Sequence, residues 1–319
     1  MRYLVRLKPL EPFMFGGEQT FGALGDKEVG SYLVKSRMFP QQTAILGMVK
    51  RELMTQAGVL TRKRRGEWVD SNKKVEAGKL VGNEKFDMLS TVVQDFGAIK
   101  EISPIFLLQE ERCYIKKVDI DTHAYSDGKL MGYDPKVNIY DNFVSPNGGE
   151  KKRSELFFKV VEQIGNKKGG EENSLFKKTS YLLNDGAMFA FYLVIEHELK
   201  SSIVTLGADG SKFMMELTPS EESLEYVDAK GYLTLLSDSY ITLAIKEHCD
   251  FAMVSEISHR NLKNKKHVSR ANRFEKSETL YLYEKGSVFI NPSAELIADL
   301  NNKNLQQIGY NIYTLGEEN

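Results

Sequence analysis

The chain has 319 residues, a formal net charge of −1, 41% hydrophobic and 27% charged residues. Such a length allows one large domain or two of ordinary size, and the composition is that of a globular protein able to build a core. The near-zero charge excludes no partner by itself, since a basic groove can be balanced elsewhere. No apolar run approaches the roughly eighteen residues of a membrane helix, so no membrane association is expected.

Residues 2–10 alternate apolar and charged side chains, the mark of a half-buried strand. Arg2, Arg6 and Lys8 interrupt any signal-peptide core, so a cytoplasmic protein is expected. The isolated Cys113 and Cys249 fit reduced structural thiols there. Pro12-Phe13-Met14-Phe15-Gly16-Gly17 follows the first strand. Pro40 then suits the first turn of a helix over 40–57, with Ile45, Leu46, Val49 and Leu53 as its apolar stripe and Gly58 as its stop. A helix N-terminus offers backbone N–H groups to phosphate, and Arg37, Lys50 and Arg51 lie near this one in sequence.

Residues 61–85 are polar, open on Arg62-Lys63-Arg64-Arg65 and read as an insertion or mobile loop. Strand-like text resumes over 102–119. The stretch 120–152 is rich in Gly, Asp, Asn and Pro, carries the isolated aromatics Tyr125, Tyr133, Tyr140 and Phe143, and reads as a long loop excursion. Residues 154–164 read as a helix. Asn184-Asp185-Gly186 between the apolar runs 176–183 and 187–196 predicts a β-hairpin. Further strands are expected at 203–206, 213–217, 232–236, 251–257, 280–283 and 288–290, and a short helix at 293–300 after Pro292 and Ser293. Strands outnumber helices and no internal repeat is present, which gives an α+β class.

Two segments suit nucleic acid. In the turn Thr205–Phe213, backbone N–H groups and Lys212 could meet a phosphate, and Phe213 could stack on a base. Residues 259–273 carry Arg260, Lys263, Lys265, Lys266, His267, Arg270 and Arg273 with no acidic residue; such a run suits a solvated loop or a phosphate backbone. No enzymatic constellation is found. His123, His197, His248, His259 and His267 form no HxxxH or HxH pair, and there is no Walker A, GxGxxG or GxSxG motif. No catalytic residue, metal or cofactor is therefore expected.

The order of these motifs resembles the RAMP proteins of CRISPR effector complexes, in their type III-B (Cmr) form. Phe13–Gly17 is similar to the family's F-x-F-G-G, and Pro40-Gln41-Gln42-Thr43 with Gly47 and Lys50 resembles its P-x-x-T-x-x-G-x-x-R/K helix start, with one residue more between Thr43 and Gly47. Lys285-Gly286-Ser287-Val288-Phe289 resembles its G-S-V-aromatic strand, and Ile308-Gly309-Tyr310-Asn311 its terminal glycine turn. The family's GxGxxxGxG loop is reduced here to Gly207, Gly210, Gly309 and Gly316. The resemblance implies two ferredoxin-like (RRM-like) halves, 1–200 and 201–319, with insertions at about 61–85 and 120–152. It implies a non-catalytic subunit whose partners are the crRNA 5′ handle, the large polymerase-like (cyclase) subunit and a backbone RAMP subunit. The expected RNA residues are Ser36, Arg37, Gln41, Gln42, Thr43, Lys50, Arg51 and Lys212, then Arg260, Lys263, Lys265, Lys266, Arg270 and Arg273. Two RAMP alternatives are the equivalent type III-A (Csm) subunit and a guide-processing endoribonuclease. Residues 1–60 contain no histidine for the acid/base work of the latter. A protein-binding scaffold without RNA affinity is the remaining alternative.

Overall fold

Alternation along Arg2–Pro9 produces strand β1, in which Val5 and Leu7 point to one face and are fully buried while Arg6 and Lys8 point to the other. The computed structural model describes residues 1–17, 19–21, 32–63, 66–120, 123–126, 128–132, 134, 136–146, 149–166, 175–207, 209–226, 232–260, 262–264, 274–276 and 278–316. After β1 come β2 (Gln19–Phe21), β3 (Tyr32–Lys35) and α1 (Gln42–Gln56). Next are β4 (Leu60–Lys63), β5 (Gly66–Val69), α2 (Lys74–Val81), β6 (Ile99–Ile102), β7 (Phe106–Gln109) and β8 (Arg112–Lys116). The middle of the chain forms β9 (Ala124–Ser126), β10 (Lys129–Met131), β11 (Asn142–Val144), β12 (Lys151–Arg153), β13 (Phe158–Asn166) and β14 (Leu175–Leu183). Then follow β15 (Ala187–Ile195), β16 (Ser202–Leu206), β17 (Ser211–Pro219), β18 (Leu233–Leu235), β19 (Phe251–Met253) and β20 (Glu256–His259). The last elements are β21 (Leu262–Asn264), β22 (Phe274–Lys276), β23 (Leu280–Tyr283), β24 (Val288–Ile290), α3 (Ala294–Leu300), α4 (Lys303–Gln307) and β25 (Tyr313–Leu315). The class is mixed, mostly strand with few helices.

Two compact units share the chain. The first comprises Met1–Ile115, Phe143–Glu225 and Gln307–Gly309; the second comprises Lys116–Asn142, Tyr226–Gln306 and Tyr310–Asn319. The first unit is built on a nine-stranded sheet of order β12-β11-β8-β7-β15-β1-β17-β16, with β6 also on β15. Within it β1 lies antiparallel between β15 and β17, with Val5 opposite Phe191 and Leu217, and Leu7 opposite Phe189 and Met215. Val5, Leu7, Phe189, Phe191 and Met215 are all fully buried, each stabilising the fold by about 1.5–3 kcal/mol relative to exposure. The strands at 202–206 and 211–219 thus pair into the sheet of β1. Helix α1 buries Ile45, Leu46, Val49 and Leu53, and lies against β16 and α2. A second sheet, β13-β14-β3-β2, contains a parallel pair, β14 with β3.

The second unit has the antiparallel sheet β19-β24-β18-β25 with α3 and α4. Leu233, Leu235, Phe289, Leu296 and Leu300 form one cluster of its core, and Val118, Ile120, Ile139, Met253, Val288 and Ile290 another. Ser293 caps α3, its hydroxyl accepting from the Leu296 N–H.

Four sequence expectations are corrected. Residues 61–85 hold the β4–β5 hairpin and α2, whose Ala77, Leu80 and Val81 are buried. The stretch 120–152 contains β9 to β12, and Tyr125 and Tyr140 pack on the Val118 cluster. Residues 154–164 are a single 3-10 turn followed by β13, not a helix. The turn at Asn184–Gly186 forms, with the Ala187 N–H donating to the Asn184 carbonyl. Its two strands then separate: β14 pairs with β13 and β3, and β15 with β1, β6 and β7.

Candidate nucleic-acid interface

The residues between β1 and α1 fold inward before anything can face a ligand. Phe13 exchanges backbone hydrogen bonds with Tyr181 of β14, and the Arg37 N–H donates to the Phe15 carbonyl. Phe13, Phe15 and Phe39 join Phe158, Phe189 and Phe213 in one aromatic cluster, with ring centroids 4.7–6.4 Å apart. Phe213 is fully buried in that cluster. It is therefore a core residue and not the base-stacking platform expected from its place after the turn.

Above this core, β16 and β17 are joined by a turn that includes Gly207 and Gly210, both with positive φ. A Cβ on Gly207 would lie 2.4 Å from the Met14 carbonyl oxygen, so only glycine lets the turn sit on the Phe13–Gly17 segment. The Ser211 hydroxyl donates to the Pro12 carbonyl at 3.2 Å, and the Lys212 N–H donates to Glu11 Oε1 at 2.9 Å. Lys212 itself is exposed and stands opposite Thr205 on the β16–β17 ladder. Arg51, exposed on α1, donates to Thr205 Oγ1 at 2.7 Å. Lys178 of β14 forms an ion pair with Asp209 in the turn. Arg51, Thr205, Lys212 and Lys178 thus surround one glycine turn. Of the three cations, Arg51 and Lys212 are exposed and Lys178 is engaged by Asp209; exposed cations are the chemistry that meets phosphate.

Other expected residues are placed differently. Ser36 is buried; its hydroxyl accepts from the Phe15 N–H at 2.9 Å and donates to the Arg37 carbonyl at 2.8 Å. Gln42 is buried too, its Nε2 donating to the carbonyls of Ser103 at 2.8 Å and Gly309 at 3.0 Å. These two hold the fold together and do not face solvent. Lys50 is half-buried: its ammonium lies 4.3 Å from the Phe96 ring centroid and donates to the Glu84 carbonyl at 3.3 Å. Burial lowers its pKa from the usual 10.5 to about 8, against the smaller opposing effects of Asp95 and Glu84. Lys50 is therefore a packing residue whose proton is held less tightly than an ordinary lysine's.

Gln41 is the extended residue before α1 and makes no side-chain cap; it and Thr43 are half-buried, as is Arg37. Arg260 belongs to the second unit, where it bonds Thr279. Lys263 lies in β21, whereas Lys265, Lys266, Arg270 and Arg273 fall outside the described residues, as do Arg64 and Arg65. Lys178 was missed in the sequence; the paired Lys177-Lys178 in a strand was its only signal.

The family-like glycines of the C-terminal part also have structural work. Gly286 has φ +88°, and a Cβ there would stand 2.9 Å from the Lys116 carbonyl. Val288 and Phe289 are fully buried in β24. Among the described residues no group of three or more His, Cys, Asp or Glu side chains could hold a metal, and no helix is long and apolar enough to cross a membrane.

Against this geometry, the CRISPR-associated protein family Cas_Cmr3 matches residues 5–115. That range contains β1 from Val5 onward, the Phe13–Gly17 segment and α1. No curated protein matches the sequence. A chain in the cryo-EM structure of the Type III-B Cmr-beta bound to cognate target RNA is similar with a TM-score of 0.54 at 15% identity, over 98% of this chain and 96% of that one. The corresponding structure with cognate target RNA and AMPPnP (state 1) gives a TM-score of 0.51 at the same identity and coverage. A chain of the crystal structure of the Csm1–Csm4 cassette in complex with AMPPNP matches at a TM-score of 0.37 and 11% identity, over 92% and 89% of the two chains. At these identities the likeness speaks for the fold.

Proposed function

We propose that the chain is a member of the Cas_Cmr3 family of CRISPR-associated proteins, whose model matches residues 5–115, and that it is a non-catalytic subunit of a type III-B effector complex which holds the 5′ handle of the crRNA. In the same reading it bridges the large polymerase-like subunit to the RAMP backbone, as a cytoplasmic protein without cofactor. The order β17-β1-β15-β7 with α1 supports a ferredoxin-like first half, in which β16 stands where a second helix would be. A second, degenerate half is drawn from the C-terminal strands.

One observation carries the RNA reading: Arg51, Thr205 and Lys212 line up beside a glycine turn seated on the Met14 carbonyl. Arg51 and Lys212 hold phosphates there, while Gln41 and Thr43 address sugars or base edges. The cations of 260–273 add further phosphate contacts.

The test is titration of handle-bearing and scrambled RNAs against the reconstituted complex at several salt concentrations. Arg51→Ala and Lys212→Ala should each flatten the log–log salt dependence by about 0.7, the value for one single-strand phosphate contact, with little change in sequence preference. Gln41→Ala with Thr43→Ala should reduce preference for the handle and leave the slope unchanged. Variants that bind both RNAs as tightly as the parent would remove this face from the proposal.

A further inference from the structure

On the sheet face opposite Val5 and Leu7, the first unit contains a groove of about 840 Å³. Leu4 and Arg6 of β1, Phe106 and Leu108 of β7, and Tyr192 of β15 line its floor. The rings of Phe106 and Tyr192 lie 5.6 Å apart. One wall is the segment 220–225 beyond β17, neither helix nor strand, which brings Glu221, Glu222 and Glu225 to the rim, all three exposed.

The charges on this groove are unequal and differently engaged. Its two cations are already held: Arg6 by Glu111 at 3.0 Å and by the Thr218 hydroxyl at 2.9 Å, Arg112 by Glu150 at 3.1 Å. The Glu222 carboxylate accepts from the Tyr192 hydroxyl, at 3.4 Å. None of Glu221, Glu222 and Glu225 has a cationic partner among the described residues. The result is a floor on which Tyr192 is half-buried while Leu4, Phe106 and Leu108 show little surface, beside three carboxylates without a cationic partner among the described residues. Aliphatic stems of Lys or Arg can lie on such a floor while their heads meet the carboxylates. A phosphate backbone is repelled by the same wall.

We infer that this groove docks an extended, Lys- or Arg-bearing segment of another protein subunit. The inference rests on the proposed membership of a multisubunit complex but not on the RNA face, because the groove is lined at the Thr218 end of β17, six residues along from Lys212.

The full chain is titrated by fluorescence anisotropy with a labelled nonapeptide of alternating Lys and Leu, its Glu-for-Lys counterpart, and a ten-nucleotide RNA. The Lys peptide should bind, the Glu peptide should not, and the RNA should not displace the Lys peptide. Glu221→Lys with Glu222→Lys and Glu225→Lys should weaken the Lys peptide at least tenfold, and the corresponding triple Gln variant should fall between. The control Glu198→Lys, an exposed acid elsewhere in the unit, should leave it unchanged. In the reconstituted complex the triple Lys variant should release a protein subunit while the affinity for handle RNA holds, so loss of RNA binding alone would count against the RNA proposal and not this one. Equal peptide affinity in parent and triple variants, equal weakening by Glu198→Lys, displacement by RNA, or full retention of every subunit by the triple Lys variant would each overturn the inference.

Discussion

Gln42 and Lys50 lie on one helix with polar side chains turned toward packed surroundings, and each carries a prediction. The Gln42 amide satisfies two backbone carbonyls that have left water. Gln42→Ala leaves both unpaired and should cost about 1–3 kcal/mol of stability, read as a lower urea midpoint with an unchanged slope. Lys50 has a folded pKa of about 8, below its ordinary 10.5. Below pH 8 both folded and unfolded chains carry this charge, and the cost of burying it is present in full. Between pH 8 and 10.5 the unfolded chain holds a proton that the folded chain has lost, so this residue makes stability rise with pH. Lys50→Met keeps the aliphatic contact with Phe96 and should remove that rise, as measured by urea unfolding at steps of pH. The sequence held a sign of Gln42's burial: it stands three and four residues before Ile45 and Leu46, on the same helical stripe. Its polar type hid the sign. Nothing local marks Lys50, because Phe96 and Glu84 reach it from a loop more than thirty residues away.

Elements were legible wherever their own period decided them. β1, α1 and the capped α3 follow from alternation, a 3.6-residue stripe and a serine cap, and they lie where those patterns put them. Residues 154–164 read as a helix in the sequence, where Phe157, Phe158 and Val161 fall at helical spacing, but from Phe158 they form β13. As an edge strand it buries Phe158 and leaves Val160 and Ile164 exposed, so the period of two is blurred. The turn at Asn184–Gly186 was legible but its pairing was not: turn chemistry is local, whereas Phe13 and β1 compete for β14 and β15 from the other end of the sequence. The glycine turn that includes Gly207 and Gly210 shows the same limit, since its seat on Met14 is a contact between distant segments. Gly207→Ala should strain a φ of +93° and press a methyl on the Met14 carbonyl. The expected loss is about 1 kcal/mol from the backbone alone. A larger drop in thermal midpoint than for Gly210→Ala, whose added Cβ meets open space, would identify the close approach as its cause.

At the scale of the molecule, composition and motif order indicated a strand-rich α+β chain, and the family match over residues 5–115 agrees with the motif order. What no composition could give is the interleaving of the two units. The first takes residues from three separated stretches, the last being only Gln307–Gly309. Ending the chain after residue 306 should therefore disturb the first turn of α1, seen as faster amide exchange at Ile45 and Leu46 with the middle of the nine-stranded sheet still protected. The same three residues set a timetable. The Gly309 carbonyl that Gln42 requires is encoded 267 residues after it. At roughly 5–20 residues per second a ribosome needs on the order of tens of seconds to supply it. Through that interval the nascent α1 waits with one buried acceptor missing, and the first unit can complete its packing only after nearly all of the second has been translated.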